Sequence, residues 1–568
     1  MMSDRARSAR RLRRPGAALL ALAFVLTPAT VATARPAARR PTASTRQPAP
    51  NPPRLVVLVV VDQLGWNVLH RYADAFGGGF RRLLDEGTDY EDAVYDHAMT
   101  ATGPGHATVA TGVEPSRNGI VGNEWYEGPP SARRHVQNTE DDSVSIVGVP
   151  EGTGRSPHRL LRDGLADWLR AARPRARVVS VSRKPRGAIL PAGRGHAPLV
   201  YWLSYRSGTF VTSTWYRTSD PDWVASFDRD SMPRFGADTV WRAVVPDSLR
   251  HLARPDEAPY ENRGSSSTFP HRFSTWMAAG AHASDVPGQA SLRWTFLAET
   301  PVTDAASFAF ARQAVRSEGL GADSVPDLLS VSLSSTDAIG HRYGPYSLEQ
   351  LDNLWRLDGE LGDFMDFLDR TVGRGRYVLA LTADHGTPPM PEYVARAGVP
   401  AGHVFGDTAG ILTSAARAGA GAVRRGGPEA AARSAARAVE RLPFVDRAYV
   451  LADLWSTAPA DSLDVFERHS ERPDRWTATF PDLGVDVRLR PYYVPSREDT
   501  HGSAWLYDRH VPLLLYGAGQ PARRVEGRVR MVDLAPTLAR ILGVPAPPDL
   551  DGRALGPRVP AAGLSRLR

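Results

Sequence analysis

Three aspartates end apolar runs of the sequence and have histidines nearby. Asp62 ends "LVVLVVVD", Asp337 ends "LLSVSLSSTD", and Asp384 follows "YVLALTA". A single aspartate after a strand is typically a turn or cap residue, but three accompanied by histidines are better explained as ligands. The accompanying histidines are His341, His385 and His501. Carboxylate and imidazole groups suit Zn²⁺ or a similar divalent ion, and six of them are enough for two metals.

The stretch "TATGPGHATVATG", residues 100–112, combines a hydroxyl group with a predicted helix start. Thr102 stands just before a Gly-Pro-Gly turn, after which an apolar helical pattern begins. The backbone N–H groups at a helix N-terminus attract anions. Taken alone, a threonine in this position is usually a helix N-cap, so the motif by itself is a weak indication.

The stretch "VSRKPRGAIL", residues 181–190, contains Lys184, the only lysine among 568 residues. Every other basic side chain in the total of 69 is arginine, and Arg186 follows two positions later. A short basic segment of this kind usually forms a solvated turn. Because Lys184 is unique and ends a predicted buried strand, we favour a functional role for it.

Continuous apolar, β-branched runs alternate along the chain with amphipathic segments. Runs without polar alternation suit parallel strands that are buried on both faces. The predicted strands are 55–62, 177–184, 328–337, 377–385 and 511–517. The predicted helices are 159–172, 347–370 and 532–543, and 347–370 opens with a capping box from Ser347 to Gln350. The pattern predicts an α/β fold, a mostly parallel central sheet flanked by helices, with ligands bound beyond the carboxyl ends of its strands.

The predicted organisation is one catalytic domain that carries two inserted subdomains. The first insertion is rich in Trp, Tyr, Ser and Pro and contains a hairpin that turns at Ser207-Gly208. The second insertion contains an alanine-rich helix that starts at Pro428, followed by short strands. The boundaries are a signal peptide at 1–34, a Pro/Arg-rich linker at 35–53, the catalytic domain at 54–545 with insertions at about 191–325 and 400–497, and a tail at 546–568.

The N-terminus has the three parts of a secretory signal. Four arginines between positions 10 and 14 precede the apolar run "AALLALAFVL", and Ala32-Thr33-Ala34 is a small-residue cleavage site. The apolar run is too short for a convincing membrane span, so an uncleaved anchor is the less favoured alternative. The signal predicts a periplasmic or secreted protein that has no membrane span after cleavage.

The net charge of +7 comes from the N-terminal segments. Residues 1–34 contain six arginines and one aspartate, and residues 35–53 contain four arginines and no acid, so residues 54–568 carry a net charge of −2. The balance therefore gives no reason to expect a nucleic-acid partner. The chain has no cysteine, which excludes disulfides, thiolate metal sites and a cysteine nucleophile.

In order and spacing, these motifs resemble the alkaline phosphatase superfamily over roughly residues 54–545. The resemblance rests on Asp62, "TGPGH" (102–106), "DAIGH" (337–341), "ADHG" (383–386) and "THG" (500–502). The most similar branch is the phosphate-irrepressible alkaline phosphatases, which are relatives of nucleotide pyrophosphatase/phosphodiesterases. The resemblance also implies the expected fold.

The resemblance implies a role for each candidate residue. Asp337, His341 and His501 would bind one Zn²⁺, and Asp62, Asp384 and His385 would bind the other. Thr102 would be the nucleophile and a ligand of the second metal. Asn123, in "GIVGNEWY", would contact a phosphoryl oxygen, and Lys184 and Arg186 match a Lys-x-Arg pair of that branch.

The expected function is an exported alkaline phosphatase that hydrolyses small-molecule phosphate monoesters through a phosphothreonine at a two-zinc site. Two cations beside the phosphoryl group favour a dianionic monoester over a singly charged diester. The main alternative is a phosphodiesterase or nucleotide pyrophosphatase that uses the same metals. A sulfatase would need Cys or Ser where Thr102 stands. A catalytically silent metal- or phosphate-binding protein is disfavoured by the complete ligand set.

Overall fold

A ten-stranded mixed sheet forms the centre of the structure. The structure is a computed structural model, and it describes residues 52–128, 133–148, 153–278, 289–498 and 500–556. The predicted signal peptide and the linker up to residue 51 lie outside the described residues. In spatial order the strands are His510–Val511, Thr88–Val94, Leu513–Gly517, Tyr377–Thr382, Leu55–Val61, Asp327–Leu333, Val178–Ser182, Leu199–Ser204 and Thr209–Val211, and Arg523–Arg530 pairs with Thr88–Val94.

Five neighbouring strands in the middle of this sheet run parallel. All seven side chains of Leu55–Val61 are buried, as are those of Asp327–Leu333. This two-sided burial explains why both sequences are continuous apolar or small-residue runs. The helices that flank the sheet cover both faces, so the fold is the predicted α/β class with a mostly parallel sheet.

The last predicted strand differs in direction from its prediction. Leu513–Gly517 pairs antiparallel with Tyr377–Thr382, whereas its continuous apolar pattern suggested a parallel strand. Burial on both faces produces the same apolar run in either direction, because the run reports burial and not strand polarity. Two further strands, Thr88–Val94 and Arg523–Arg530, were not predicted, since charged residues interrupt both.

Helices lie between many of the strands. Their bounds are Trp66–Arg71, Gly79–Glu86, Thr102–Thr111, Pro115–Asn118, Leu165–Ala172, Pro185–Ile189, Asp222–Asp230, Met232–Gly236, Phe273–Ala278, Gln289–Leu297, Val302–Glu318, Ser335–Tyr343, Leu348–Leu368, Pro391–Ala395, Asp407–Gly421, Gly427–Val439, Leu451–Leu454, Ser462–Ser470, Leu506–Arg509 and Leu534–Leu542. The long helix begins as its capping signal predicted, because the Ser347 hydroxyl accepts a hydrogen bond from Gln350 N.

The stretch 191–325 contributes to the main sheet as well as to its surroundings. The predicted hairpin is formed by Leu199–Ser204 and Thr209–Val211, and it joins the sheet edge. Gly208 has φ +72°, the left-handed conformation that this turn requires. A separate two-stranded sheet pairs Val240–Trp241 with His271–Arg272.

The stretch 400–497 contains an inserted unit with a hydrophobic core of its own. Helix Gly427–Val439 packs on the antiparallel strands Val445–Val450 and Val485–Leu489, and helix Asp407–Gly421 packs on helix Gly427–Val439. Their shared core includes Leu412, Ala416 and Val439, among others.

Two small sheets and the start of the tail complete the described chain. Glu124–Glu127 lies between Arg134–Gln137 and Arg475–Trp476, and Gly402–His403 pairs with Tyr493–Val494. The described residues after 545 contact the catalytic domain. Asp551 accepts hydrogen bonds from Glu114 N and from the Arg117 guanidinium.

A buried carboxylate joins the long helix Leu348–Leu368 to the helix Gly79–Glu86. The Asp358 carboxylate accepts hydrogen bonds from Gly77 N (2.8 Å), Gly78 N (2.6 Å) and Phe80 N (2.7 Å). These N–H groups belong to the helix N-terminus, which has no other backbone acceptor for them.

We expect Asp358→Asn to lower the free energy of unfolding by about 2 kcal/mol, because an amide replaces one charged acceptor oxygen with a donor. Asp363→Asn, an exposed position on the same helix, should change it by less than about 0.5 kcal/mol. Urea unfolding of both variants measures the difference, and equal effects would contradict this role of Asp358.

Candidate metal centre

The carboxyl ends of four adjacent parallel strands meet at one edge of the sheet. Val61 is paired with Leu333, Val60 with Thr382, and Ser332 with Ser182, so the strands end nearly level. Three acidic side chains and one basic side chain follow these ends: Asp384, Asp62, Asp337 and Lys184.

Two clusters of possible metal ligands lie at this edge. The first consists of Asp337, His341 and His501, and the second of Asp62, Asp384 and His385. Within each cluster, one ligand atom from each residue lies within 4.8 Å of the others. Two such groups of possible metal ligands occur among the described residues, and they contain the six residues that were predicted from the sequence as metal ligands.

The second cluster has buried donor atoms that suit a cation. Asp62 Oδ1 and His385 Nε2 are 3.3 Å apart, and neither forms a hydrogen bond within the described part of the chain. His385 Nδ1 contacts Gly386 O at 3.0 Å, which leaves Nε2 directed at the carboxylates. Buried polar atoms without hydrogen bonds are costly, so this donor set fits a metal ion.

The first cluster also brings imidazole nitrogens close to a carboxylate, but its residues are more exposed than those of the second cluster. His341 Nε2 and His501 Nε2 lie 3.2 Å and 3.4 Å from Asp337 Oδ1. His501 Nδ1 contacts Thr100 O at 2.7 Å, an arrangement that fixes the ring as a metal-ligating histidine requires. The rings of His385 and His501 stack with centroids 3.6 Å apart, so the two clusters are in direct contact.

The electrostatics of the site favour ionised carboxylates. Burial acts to raise the pKa of both Asp62 and Asp337, but the Lys184 ammonium and the neighbouring histidines hold both pKa values below the ordinary range. Burial lowers the pKa of His385, yet Asp384 and Asp62 outweigh it and raise that pKa to about 9. A field that favours a proton on His385 equally favours a metal cation beside it.

Thr102 begins a helix that is buried along its whole length, Thr102–Thr111. Its side chain is 1% exposed and its Oγ1 lies 3.3 Å from Lys184 Nζ. Gly105 allows the helix to approach the sheet edge, because a Cβ atom there would lie 2.2 Å from Asp384 O. The hydroxyl and the second cluster are therefore held together by direct backbone packing.

Asn123 lies against the first turn of the Thr102 helix. Its Oδ1 accepts a hydrogen bond from Gly103 N at 2.8 Å. A Cβ atom at Gly103 would meet Asn138 Nδ2 at 2.2 Å, so a larger residue would force Asn138 and Asn123 away.

Lys184 connects the two clusters. Its ammonium lies 2.6 Å from Asp62 Oδ2 and 2.6 Å from Asp337 Oδ2. Pro185 is the first residue of the helix Pro185–Ile189, where a missing N–H costs nothing and the fixed φ suits the helix. Arg186 follows in the first turn, and its buried Nε has no hydrogen-bond partner among the described residues.

Two supporting residues were not singled out from the sequence. Gln63 N donates to Asp384 Oδ1 (3.1 Å), Gln63 Nε2 donates to Asp337 Oδ1 (3.1 Å), and the residue adopts φ +69°. His106 Nδ1 contacts Thr102 O at 2.8 Å and lies 3.1 Å from Asp384 Oδ2. In the sequence, only their positions next to predicted site residues could have indicated these roles. Gln63 directly follows Asp62, and His106 is the last residue of the "TGPGH" motif.

The chain matches the model of the family described as type I phosphodiesterase/nucleotide pyrophosphatase over residues 56–510. It therefore belongs to that family, and it is an enzyme that hydrolyses phosphoric esters.

Several characterised proteins are similar to it. Alkaline phosphatase PhoV of Synechococcus elongatus is 38% identical over 60% of each chain. A Myroides odoratus protein named calcium-transporting ATPase is 31% identical over 87% of this chain and 92% of its own. Alkaline phosphatase PafA of Elizabethkingia meningoseptica is 29% identical over 89% of this chain and 94% of its own.

A crystal structure of wild-type PafA has the same fold as this chain. It superposes with a TM-score of 0.78 at 28% identity, over 89% of this chain and 99% of the other. The predicted membership of the alkaline phosphatase superfamily and the predicted fold class are both confirmed.

We expect Gln63→Ala to weaken the binding of a divalent metal ion about tenfold, because residues that orient metal ligands typically contribute this much. The matched control is Gln313→Ala, whose amide donates a hydrogen bond to Ser317 within the helix Val302–Glu318. Zinc titration against a competing chelator measures the affinity. Unchanged affinity in Gln63→Ala would show that the Asp337 carboxylate is held in place without the Gln63 amide.

Proposed function

We propose that the chain is an exported, metal-dependent alkaline phosphatase that hydrolyses phosphate monoesters through a phosphothreonine. The observation that carries the proposal is the position of Thr102 Oγ1 next to the Lys184 ammonium. The same ammonium contacts Asp62 of one cluster and Asp337 of the other. The relatives named alkaline phosphatase and the likeness to PafA support a phosphoric monoester hydrolase.

Two Zn²⁺ ions are the proposed cofactors. Asp337, His341 and His501 would hold one ion, and Asp62, Asp384, His385 and the Thr102 hydroxyl would hold the other. When bound, the ions would supply positive charge for the attacking and leaving oxygens and assist ionisation of the nucleophile.

The remaining steps belong to residues of the chain. Thr102 Oγ forms a bond to phosphorus while the ester P–O bond breaks, so that the alcohol leaves with a proton and a phosphothreonine remains. Water then cleaves the phosphothreonine, which regenerates Thr102 and releases inorganic phosphate. Asn123 would donate a hydrogen bond from its amide to a phosphoryl oxygen, because its Oδ1 is already occupied by Gly103 N.

Lys184 and Arg186 are proposed to set the preference for monoesters. A phosphate monoester exposes two negative charges, whereas a diester has one charge and a second substituent in the same space. Two cations at the start of one short helix therefore stabilise the monoester more strongly. A solved variant of PafA carries substitutions of a threonine, an asparagine, a lysine and an arginine, the same four residue types proposed here.

Phosphodiester hydrolysis remains the second candidate function. The matching family is described as type I phosphodiesterase/nucleotide pyrophosphatase, and the metal centre proposed here would serve either reaction.

Export is proposed from the N-terminal signal at residues 1–34, which would deliver the enzyme to the periplasm or the medium. That segment lies outside the described residues. No helix in the described part of the chain is long and apolar enough to span a membrane.

Thr102→Ala should abolish turnover of p-nitrophenyl phosphate, with a loss of at least about a thousandfold in kcat, because no hydroxyl remains to accept the phosphoryl group. Thr102→Ser should retain measurable turnover, since it keeps the hydroxyl. Steady-state assays with added Zn²⁺ compare the two variants. Turnover by Thr102→Ala within tenfold of the unaltered enzyme would rule out a phosphothreonine at this position.

Lys184→Ala should reduce kcat/KM for a monoester about a hundredfold and for a bis-aryl diester less than about tenfold, since the monoester loses the partner of its second charge. Arg229→Ala, which removes an exposed cation, is the control. Zinc content is measured on the same samples, because Lys184 also contacts two proposed metal ligands. An unchanged monoester-to-diester ratio would contradict the proposed role of the lysine.

A further inference from the structure

Two of the three ligands in the first cluster stand on one helix. Asp337 and His341 lie four residues apart in the helix Ser335–Tyr343. Gln350 Nε2 donates a hydrogen bond to Thr336 O at 2.9 Å, which ties this helix to the long helix that follows it. These two ligands are therefore held by regular secondary structure.

The third ligand, His501, comes from a loop. Among the described residues, 495–498 and 500–505 belong to no helix or strand. Loops are more mobile than the elements they connect, so a ligand in a loop needs contacts from its surroundings. His501 Nδ1 contacts Thr100 O, and Ser503 N donates to Thr100 Oγ1 at 3.0 Å. These contacts hold the imidazole ring and the part of the loop that follows it.

An arginine joins the part of the loop before His501 to the helix that carries the other two ligands. Arg342 directly follows His341, and its Nη1 donates to Glu498 Oε1 at 2.7 Å. Glu498 lies three residues before His501. The Arg342 and Glu498 side chains are 14% and 18% exposed, so salt screens this ion pair less than it screens a pair on the open surface.

The same guanidinium contacts a carboxylate from the first insertion. Arg342 Nη2 donates to Glu299 Oε1 at 2.7 Å, and Trp276 Nε1 donates to Glu299 Oε2 at 2.9 Å. The planar guanidinium presents its N–H groups in fixed directions, unlike a lysine ammonium. Glu299 therefore orients the guanidinium for its contact with Glu498.

We propose that Arg342 is a positioning residue for the first cluster, and that its ion pair with Glu498 holds His501 beside Asp337 and His341. Without this pair, the loop before His501 loses a link to the ligand helix, so more of the loop must be ordered when a metal ion binds. Residues that orient metal ligands contribute about ten- to a hundredfold to metal affinity. The second cluster has no ligand in this loop, so its affinity should change little. The proposal rests on the two-metal function proposed above.

The test is a titration of the metal-free full chain with Zn²⁺ against a competing chelator. Arg342→Met should weaken the binding of one ion at least about tenfold and of the other less than about threefold, because only one cluster loses its support. Glu498→Ala removes the same ion pair and should have the same effect, and it replaces Arg342→Met if that variant does not fold. The double variant should bind within about twofold of Arg342→Met, since both changes remove one interaction.

Arg433→Met is the matched control. Arg433 also pairs with two acids, Asp453 and Glu429, but it does so within the inserted unit, and its loss should leave both affinities unchanged. Kinetics give a readout that a general loss of structure would not produce. Arg342→Met should lose activity toward p-nitrophenyl phosphate at limiting Zn²⁺ and regain it, to within about threefold, at saturating Zn²⁺.

Three results would overturn this role of Arg342 while the unaltered chain still binds two ions and the proposed function stands. They are unchanged binding of both ions by folded Arg342→Met and Glu498→Ala, equal weakening of both ions, and lost activity that saturating Zn²⁺ does not restore. An unaltered chain that binds fewer than two ions would instead overturn the proposed two-metal function, and this role of Arg342 with it.

Discussion

The mutual repulsion of buried carboxylates at one sheet edge is the constraint on which the rest of the structure depends. Asp62 and Asp384 are fully buried, and Asp337 is 5% exposed. Charges so close together in a medium of low dielectric constant are strongly unfavourable unless cations stand between them. Lys184 supplies one such cation at 2.6 Å from two of the carboxylates. The proposed metal ions would supply the others.

The fold keeps these charges together through rigid elements. The parallel strands end level because their registers align. At Gly105 the backbone of the Thr102 helix packs directly against Asp384. This close packing fixes the distance between the Thr102 hydroxyl and the carboxylates. Positioning of this kind is the main requirement of phosphoryl transfer, in which the protein contributes geometry and charge.

The sequence predicted those parts of the site whose signal is local. The apolar runs that precede Asp62, Asp337 and Asp384 indicate buried strands, and strand ends in such folds converge. Gln63 was missed because a glutamine after a strand has no distinctive pattern; its role depends on a left-handed backbone and on two partners far along the chain. The direction of Leu513–Gly517 was wrong, since an apolar run reports burial only.

The most direct test of the account is a titration of metal-free protein with Zn²⁺ in which bound metal and monoesterase activity are measured on the same samples. The two ligand clusters predict that activity rises with occupancy and reaches its maximum when two ions are bound per chain. Full activity in metal-free protein, or no further gain from the second ion, would contradict a two-metal centre built on these carboxylates.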